Sequence, residues 1–168
     1  WKRVRDGISI KMQIPGVYHD LTLRDNMRIA AQRYVNPKHI NEEIDRLIEM
    51  VGIQDLGNPL VKNMPHGQQQ WLEIAMSMAS KPRLLLLDEP AAGMNPQETK
   101  ELMEMIRWIR DKFDLSILLI EHDMGLVMGV CERIYVLEYG CLIAEGTPDE
   151  IKNNKRVIEA YLGEEVIN

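Results

Sequence analysis

The chain has 168 residues, 45% apolar and 27% charged, with a formal net charge of −6. That length supports one sizeable core with a small inserted subdomain, and the acidic balance argues against a nucleic-acid surface. No apolar run approaches the ~18 residues that cross a bilayer, and Trp1-Lys2-Arg3-Val4-Arg5 has no apolar segment behind its charges, so neither a span nor a signal peptide is expected.

Gly7 to Gln13 reads as a strand with no strand before it to pair with. Gln13 then precedes a Pro15-Gly16 turn. Its amide can donate and accept at once, although a surface glutamine is the simpler reading from the residues alone. Thr22 with Asp25 three positions later starts a helix to about Ala31. Asn36-Pro37 breaks the pattern. A second helix runs from Pro37 or Lys38 to Met50, with Ile40, Ile44, Leu47 and Ile48 on one face and Gly52 after its end. His19 and His39 have no motif around them and read as surface residues. A third helix opens within Lys62 to Gln68 and runs to about Ser80, where Lys81-Pro82 stops it; Leu72, Ala75, Met76 and Ala79 mark its buried face. Its N-terminus follows a glycine and presents free N–H groups, which suits a phosphate.

Leu84 to Leu87 fit no two-sided pattern and read as a strand covered on both faces. Asp88 and Glu89 follow, and Pro90 ends the strand. A helix from about Gln97 to Phe113 carries Leu102, Met105, Ile106, Ile109 and Phe113 on one face, and Ser116 to Ile120 is the next strand. Strand, helix, strand makes a βαβ unit whose strands are parallel, so both polar ends leave the same sheet edge. Asp88, Glu89 and His122 are then candidates to converge, 34 positions apart at the extremes. A satisfied strand-end histidine is the alternative for His122. A metal-hydrolase triad lacks the usual paired-histidine spacing. Downstream come a short helix from Met124 to about Val130, strands at Arg133–Leu137 and Leu142–Ala144, and a helix capped by Thr147 with Pro148 at its first position. Cys131 and Cys141 read as free thiols, and eleven methionines against one phenylalanine read as adaptable core filler.

Several of these stretches together resemble a known family. Leu84-Leu85-Leu86-Leu87-Asp88-Glu89-Pro90 resembles the Walker B strand and catalytic glutamate of an ATP-binding-cassette (ABC) ATPase. Gly93-Met94-Asn95 stands at the place of its D-loop, with Asn95 for the usual Asp. His122 resembles its switch histidine. His66-Gly67-Gln68-Gln69-Gln70-Trp71-Leu72-Glu73-Ile74-Ala75 resembles its signature helix, and from His66 on it resembles the urea-type branch of the branched-chain amino acid transporter ATPases. Met64, Pro65 and His66 replace the first three residues of the usual Leu-Ser-Gly-Gly-Gln, and Pro65 has neither hydroxyl nor N–H to offer a phosphate. Met12-Gln13 resembles the start of its Q-loop, with Met12 for the usual Phe, and Val157-Ile158-Glu159-Ala160-Tyr161-Leu162-Gly163 resembles the C-terminal helix of the branched-chain amino acid transport ATPases.

The resemblance implies an α/β fold: a parallel-sheet, P-loop NTPase-type ABC nucleotide-binding domain over 1–168, with a helical subdomain at 22–82 and a catalytic core at 83–168. It implies ATP and Mg2+ as ligands. Glu89, His122 and Gln13 would be catalytic, Asp88 and Gln13 would serve the metal, and Pro65, His66, Gly67, Gln68 and Asn95 would contact nucleotide. The implied partners are a second ATP-binding subunit and integral membrane permease subunits, with no nucleic acid, on the cytoplasmic face of the plasma membrane. The implied role is powering an importer of branched-chain amino acids or urea-like solutes. A soluble non-transport ABC ATPase and a non-catalytic binding module are the other readings. No Gly-x-x-x-x-Gly-Lys-Ser/Thr occurs, so the chain resembles a cassette without its N-terminal phosphate-loop third. Calorimetric titration of Trp1–Asn168 with ATP and magnesium is expected to show weak binding and no phosphate release. A micromolar dissociation constant with turnover would contradict that expectation.

Overall fold

The computed structural model describes residues 6–14 and 16–162. The chain divides into two compact units, one ending at Glu121 and the other beginning at His122. The boundary falls inside the stretch expected to form the catalytic core.

The first unit is built on three parallel strands, β1 (Ile8–Lys11), β2 (Leu84–Asp88) and β3 (Ser116–Ile120), in the order β1-β2-β3. The expected lone first strand therefore does have a partner, but it follows in sequence: Ile8 lies beside Leu84 and Lys11 beside Leu87. Between β1 and β2 stand α1 (Leu23–Ala31), α2 (Ile40–Met50) and α3 (His66–Met78), with 3-10 turns at Pro37–His39, Gln54–Leu56 and Val61–Asn63. Between β2 and β3 stands α4 (Pro96–Phe113). The Thr22 side chain accepts the Asp25 N–H and Asp25 bonds back, the reciprocal cap that the sequence predicts. The 3-10 turn takes the first residues of the expected second helix because Asn36 caps Lys38 and Pro37 cannot donate.

Helix α3 is enclosed on nearly every side: Trp71, Leu72, Ile74, Ala75 and Met78 are buried, and so are Gln70, Glu73 and Ser77. The leucine strand is not sealed on both faces as expected. Leu85 and Leu87 are each 1% exposed, but on the opposite face Ile10, Leu118 and Ile120 are 48%, 52% and 58% exposed. The strand pattern is that of a two-sided parallel sheet, and among the described residues no element seals the second face.

The second unit packs Val127 of α5 (Met124–Val130), Ile134 and Val136 of β4 (Ile134–Glu138), Ile151 of α6 (Pro148–Lys152) and Val157 of α7 (Lys155–Val157) into its own core. β4 pairs antiparallel with β5 (Cys141–Gly146) through a turn at Tyr139-Gly140 with φ of 48° and 79°. Two adjacent positive φ values match the strand twist of a tight hairpin, and Gly140 supplies one without a Cβ penalty. Thr147 caps α6 as expected. The last helix continues as a π-turn over Ile158–Leu162, and the expected end at Gly163 lies outside the described residues. Cys131 and Cys141 are both free thiols.

Leu87→Ala is expected to cost about 2–5 kcal/mol, the range for truncating a buried leucine. Leu118→Ala, on the open face, should cost less than half as much. Equal losses in chemical denaturation of the two variants would show that the second face is sealed after all.

Candidate functional site

The site grows from the C-terminal end of β2. Asp88 closes the strand, half-buried. At Glu89 the backbone turns into the left-handed region, with φ of 43°. A non-glycine residue held there costs on the order of 1–3 kcal/mol and persists only where its surroundings over-determine it. Here the Glu89 N–H donates to Ile120 O at 2.9 Å and the Ala92 N–H donates back to Glu89 O at 3.2 Å. Pro90 has no N–H to carry the ladder on. The Ala91 N–H donates to the Glu121 carboxylate at 2.9 Å, which closes the turn against the end of β3.

This turn aims the Glu89 carboxylate at the loop after β1. The Gln13 amide nitrogen donates to Glu89 Oε2 at 2.7 Å. Two residues 76 positions apart thus meet directly, both on the exposed side of the sheet edge. The oxygen end of the Gln13 amide and the Asp88 carboxylate are both hard donors. Magnesium takes one or two protein oxygens and completes its shell with waters and substrate phosphates. Among the described residues no cluster of three or more His, Cys, Asp or Glu forms an all-protein metal cage. The donor set at Asp88 and Gln13 therefore fits a metal shared with phosphate and does not fit a self-contained metal centre.

A second assembly surrounds the N-terminus of α3. Pro65 is its N-cap and makes no side-chain cap bond, so the first-turn N–H groups are not closed off by a capping side chain. The reason lies in the sequence, since proline offers no oxygen at that position. Gly67 sits so close to α4 that a Cβ there would be 2.6 Å from Glu98 Oε1. Gly93, at φ of 74°, would place a Cβ 3.1 Å from the His66 ring nitrogen Nδ1. His66 and Gly67 thus lie against the loop and helix that follow Glu89. Asn95 caps α4: its side-chain oxygen accepts from Gln97 at 2.9 Å and Glu98 at 3.0 Å, while Glu98 bonds back to the Asn95 N–H. Gln68 is half-buried, and its amide oxygen has no hydrogen-bond partner.

The structure therefore brings Gln13 to Glu89, next to Asp88 in the chain, and brings His66 to Gly93 and Gly67 to Glu98. His122 is the first residue of the second unit, one position before Asp123, which caps α5 by accepting the Leu126 N–H.

Two residues were not singled out by the sequence, Lys11 and Glu73. Lys11 is 0% exposed at the end of β1, with Nζ 3.0 Å from Met12 O and 3.8 Å from Glu73 Oε2. Burial pushes its ammonium below the usual lysine range, opposed by the charges of Glu73, Asp88, Glu121 and Glu89. Burial pushes Glu73 above the usual glutamate range, opposed by the Gly16 N–H and by Lys11. The one available signal was the spacing of Gln70, Glu73 and Ser77, which places three polar residues on one stripe of a helix otherwise rich in apolar ones.

Comparison with known proteins identifies the family. A model of the ABC transporter family matches residues 1–92, and one described as branched-chain amino acid ATP-binding cassette transporter matches residues 141–167. The high-affinity branched-chain amino acid transport ATP-binding protein LivG of Salmonella typhimurium is 40% identical over 95% of this chain, which spans 69% of that protein. BraF of Pseudomonas aeruginosa, of the same description, is 36% identical over 97% of the chain and 70% of its own length. The lipopolysaccharide export ATP-binding protein LptB of Escherichia coli is 32% identical over 97% and 68%. Two solved structures share the fold. The cbiO1 protein of Clostridium perfringens, part of an ABC transporter complex, superposes with a TM-score of 0.82 at 24% identity, over 96% of this chain and 66% of its own. An ATP-binding cassette in its ADP conformation superposes with a TM-score of 0.81 at 22% identity, over 97% and 71%. The chain belongs to the ABC transporter family of ATP-hydrolysing transport subunits, and its homologues include branched-chain amino acid transport ATP-binding proteins.

Proposed function

We propose that this chain carries the water-activating half of an ATP site in an importer for branched-chain amino acids or urea-like small solutes. The observation that carries this reading is the 2.7 Å bond from Gln13 to a Glu89 held in the left-handed region. Glu89 accepts the proton of a water directed at the γ-phosphorus, and a carboxylate within hydrogen-bond reach of that water is the geometric requirement for a general base. Gln13 fixes the carboxylate's orientation through its N–H, and its amide oxygen would serve the water or the metal. Asp88 with Gln13 would hold magnesium, which when bound neutralises charge on the phosphate oxygens. His122, by its resemblance to the family's switch histidine, would donate to the γ-phosphate.

The α3 N-terminus serves the other half of the chemistry. In a dimer that sandwiches two ATP molecules, the first-turn N–H groups after Pro65, with His66, Gly67 and Gln68, face the γ-phosphate on the partner. Positive dipole ends and free N–H groups favour that anion. Asn95 has its oxygen committed to α4, so its contribution across the dimer comes from the amide NH2. Integral membrane permease subunits would dock on the helical segment between β1 and β2, at the inner face of the plasma membrane. Among the described residues no helix is long and apolar enough to cross a membrane.

The test joins this chain to an N-terminal segment that supplies a phosphate loop. In that completed cassette Glu89→Gln is expected to keep ATP binding and to lower steady-state phosphate release by ~10²–10⁴-fold, the range for loss of a positioned base. Near-normal turnover in the variant would remove Glu89 from the role.

A further inference from the structure

We propose that Lys11 and Glu73 are positioning residues for the reaction: together they set where Gln13 stands over Glu89 and tie that placement to α3. The catalytic meaning of this pair rests on the function proposed above, while the tether itself is a property of the chain.

Gln13 lies in a short segment whose two flanks are held by the pair. On one side the Lys11 ammonium donates to Met12 O at 3.0 Å. On the other, the Gly16 N–H donates to Glu73 Oε1 at 2.8 Å. The two halves are joined, since Lys11 Nζ lies 3.8 Å from Glu73 Oε2. Lys11 also reaches the end of β2, with Nζ 3.5 Å from Asp88 O, the carbonyl next to Glu89. Of the three ammonium donors, two have backbone acceptors within hydrogen-bond distance, Met12 O and Asp88 O, and Glu73 Oε2 at 3.8 Å is an ion-pair partner. One turn further along α3, Ser77 Oγ donates to Glu73 O at 2.9 Å within its own helix and lies 3.4 Å from Ile10 O. One turn back, Gln70 is 0% exposed with neither amide atom hydrogen-bonded. Gln70, Glu73 and Ser77 share one face of α3, and the contacts of the last two place that face against Ile10 and Gly16.

Stability does not account for this arrangement. A lysine is almost never fully buried, and replacing a buried ion pair by apolar residues of similar volume is often neutral or stabilising. An apolar seam would hold α3 to β1 equally well. It would not hold both sides of Gln13, because only a charged, multiply bonding pair reaches Met12 O, Gly16 N and Asp88 O together. A shift of α3 therefore carries the Gly16 backbone with it, and Gln13 moves relative to Glu89.

The test begins on the chain as it stands. Lys11→Met/Glu73→Leu removes both charges and all the tethering bonds while keeping an apolar seam, so it is the variant expected to fold. Amide hydrogen exchange at Gly16 should rise by about tenfold, as expected for loss of one net hydrogen bond, with exchange at Ile74 and Leu87 unchanged. The Gln13 side-chain amide resonances should stop responding to Glu89→Ala. In the completed cassette the same variant should lower kcat about tenfold with KM for ATP unchanged. Lys11→Met/Glu73→Gln, which keeps an acceptor for the Gly16 N–H, should recover part of the loss. Unchanged Gly16 exchange, or exchange rising equally at Ile74 and Leu87, overturns the tether. An unchanged kcat in a cassette that hydrolyses ATP overturns the positioning role. If the unmodified cassette hydrolyses no ATP, the ATPase reading fails, and the exchange measurement still decides the tether.

Discussion

The left-handed backbone at Glu89 is the constraint on which the rest of this structure depends. A leucine strand that continued past Asp88 would carry its next side chain along the sheet. Pro90 ends the ladder, and Glu89 can hold its strained conformation only because Ile120 O takes its N–H and Glu121 takes that of Ala91. Both acceptors sit at the end of β3. The βαβ connection through α4 is therefore more than a way to extend the sheet, because it delivers the groups that hold the turn. The loop that follows must then reverse at Gly93 against His66 and start α4 at the Asn95 cap, which brings the α3 N-terminus alongside.

Helix α3 reconciles two demands. Its apolar residues, Leu72, Ile74, Ala75 and Met78, close the core between the helical segment and the sheet. Its polar stripe faces β1 and the Gln13 segment. Burying such groups costs several kcal/mol per uncompensated charge, and the cost is met only in part: Glu73 Oε2 has no hydrogen bond and leans on the Lys11 charge alone, while Gln70 has none at either end.

Much of the fold was legible in the residues. Four leucines before Asp-Glu-Pro, an amphipathic stretch and a second apolar run define β2, α4 and β3. The caps at Thr22 and Thr147 and the proline at 148 were readable because capping depends on residues three positions apart. Other features were not readable, for physical reasons. The pattern of Leu84 to Leu87 describes a strand that can be covered twice, and whether a partner layer exists is a property of other segments. The burial of Lys11 was hidden because a lysine at a strand end is ordinarily solvated, and only the approach of α3 encloses it. The site residues divide in the same way. Asp88 and Glu89 could be placed from their own strand, whereas the Gln13 amide acquires meaning only when the sheet sets β1 beside β2. The nearness of His66 to Gly93 arises from a close backbone approach that no spacing reports.

The most direct measurement of the central claim is a structure of the completed cassette with magnesium and a non-hydrolysable ATP analogue. The account predicts the γ-phosphate opposite Glu89 with one water between them, Gln13 still bonded to that carboxylate, and Asp88 on the metal side. A nucleotide bound elsewhere, or a Glu89 carboxylate turned away from the γ-phosphate with Gln13 detached, would contradict it.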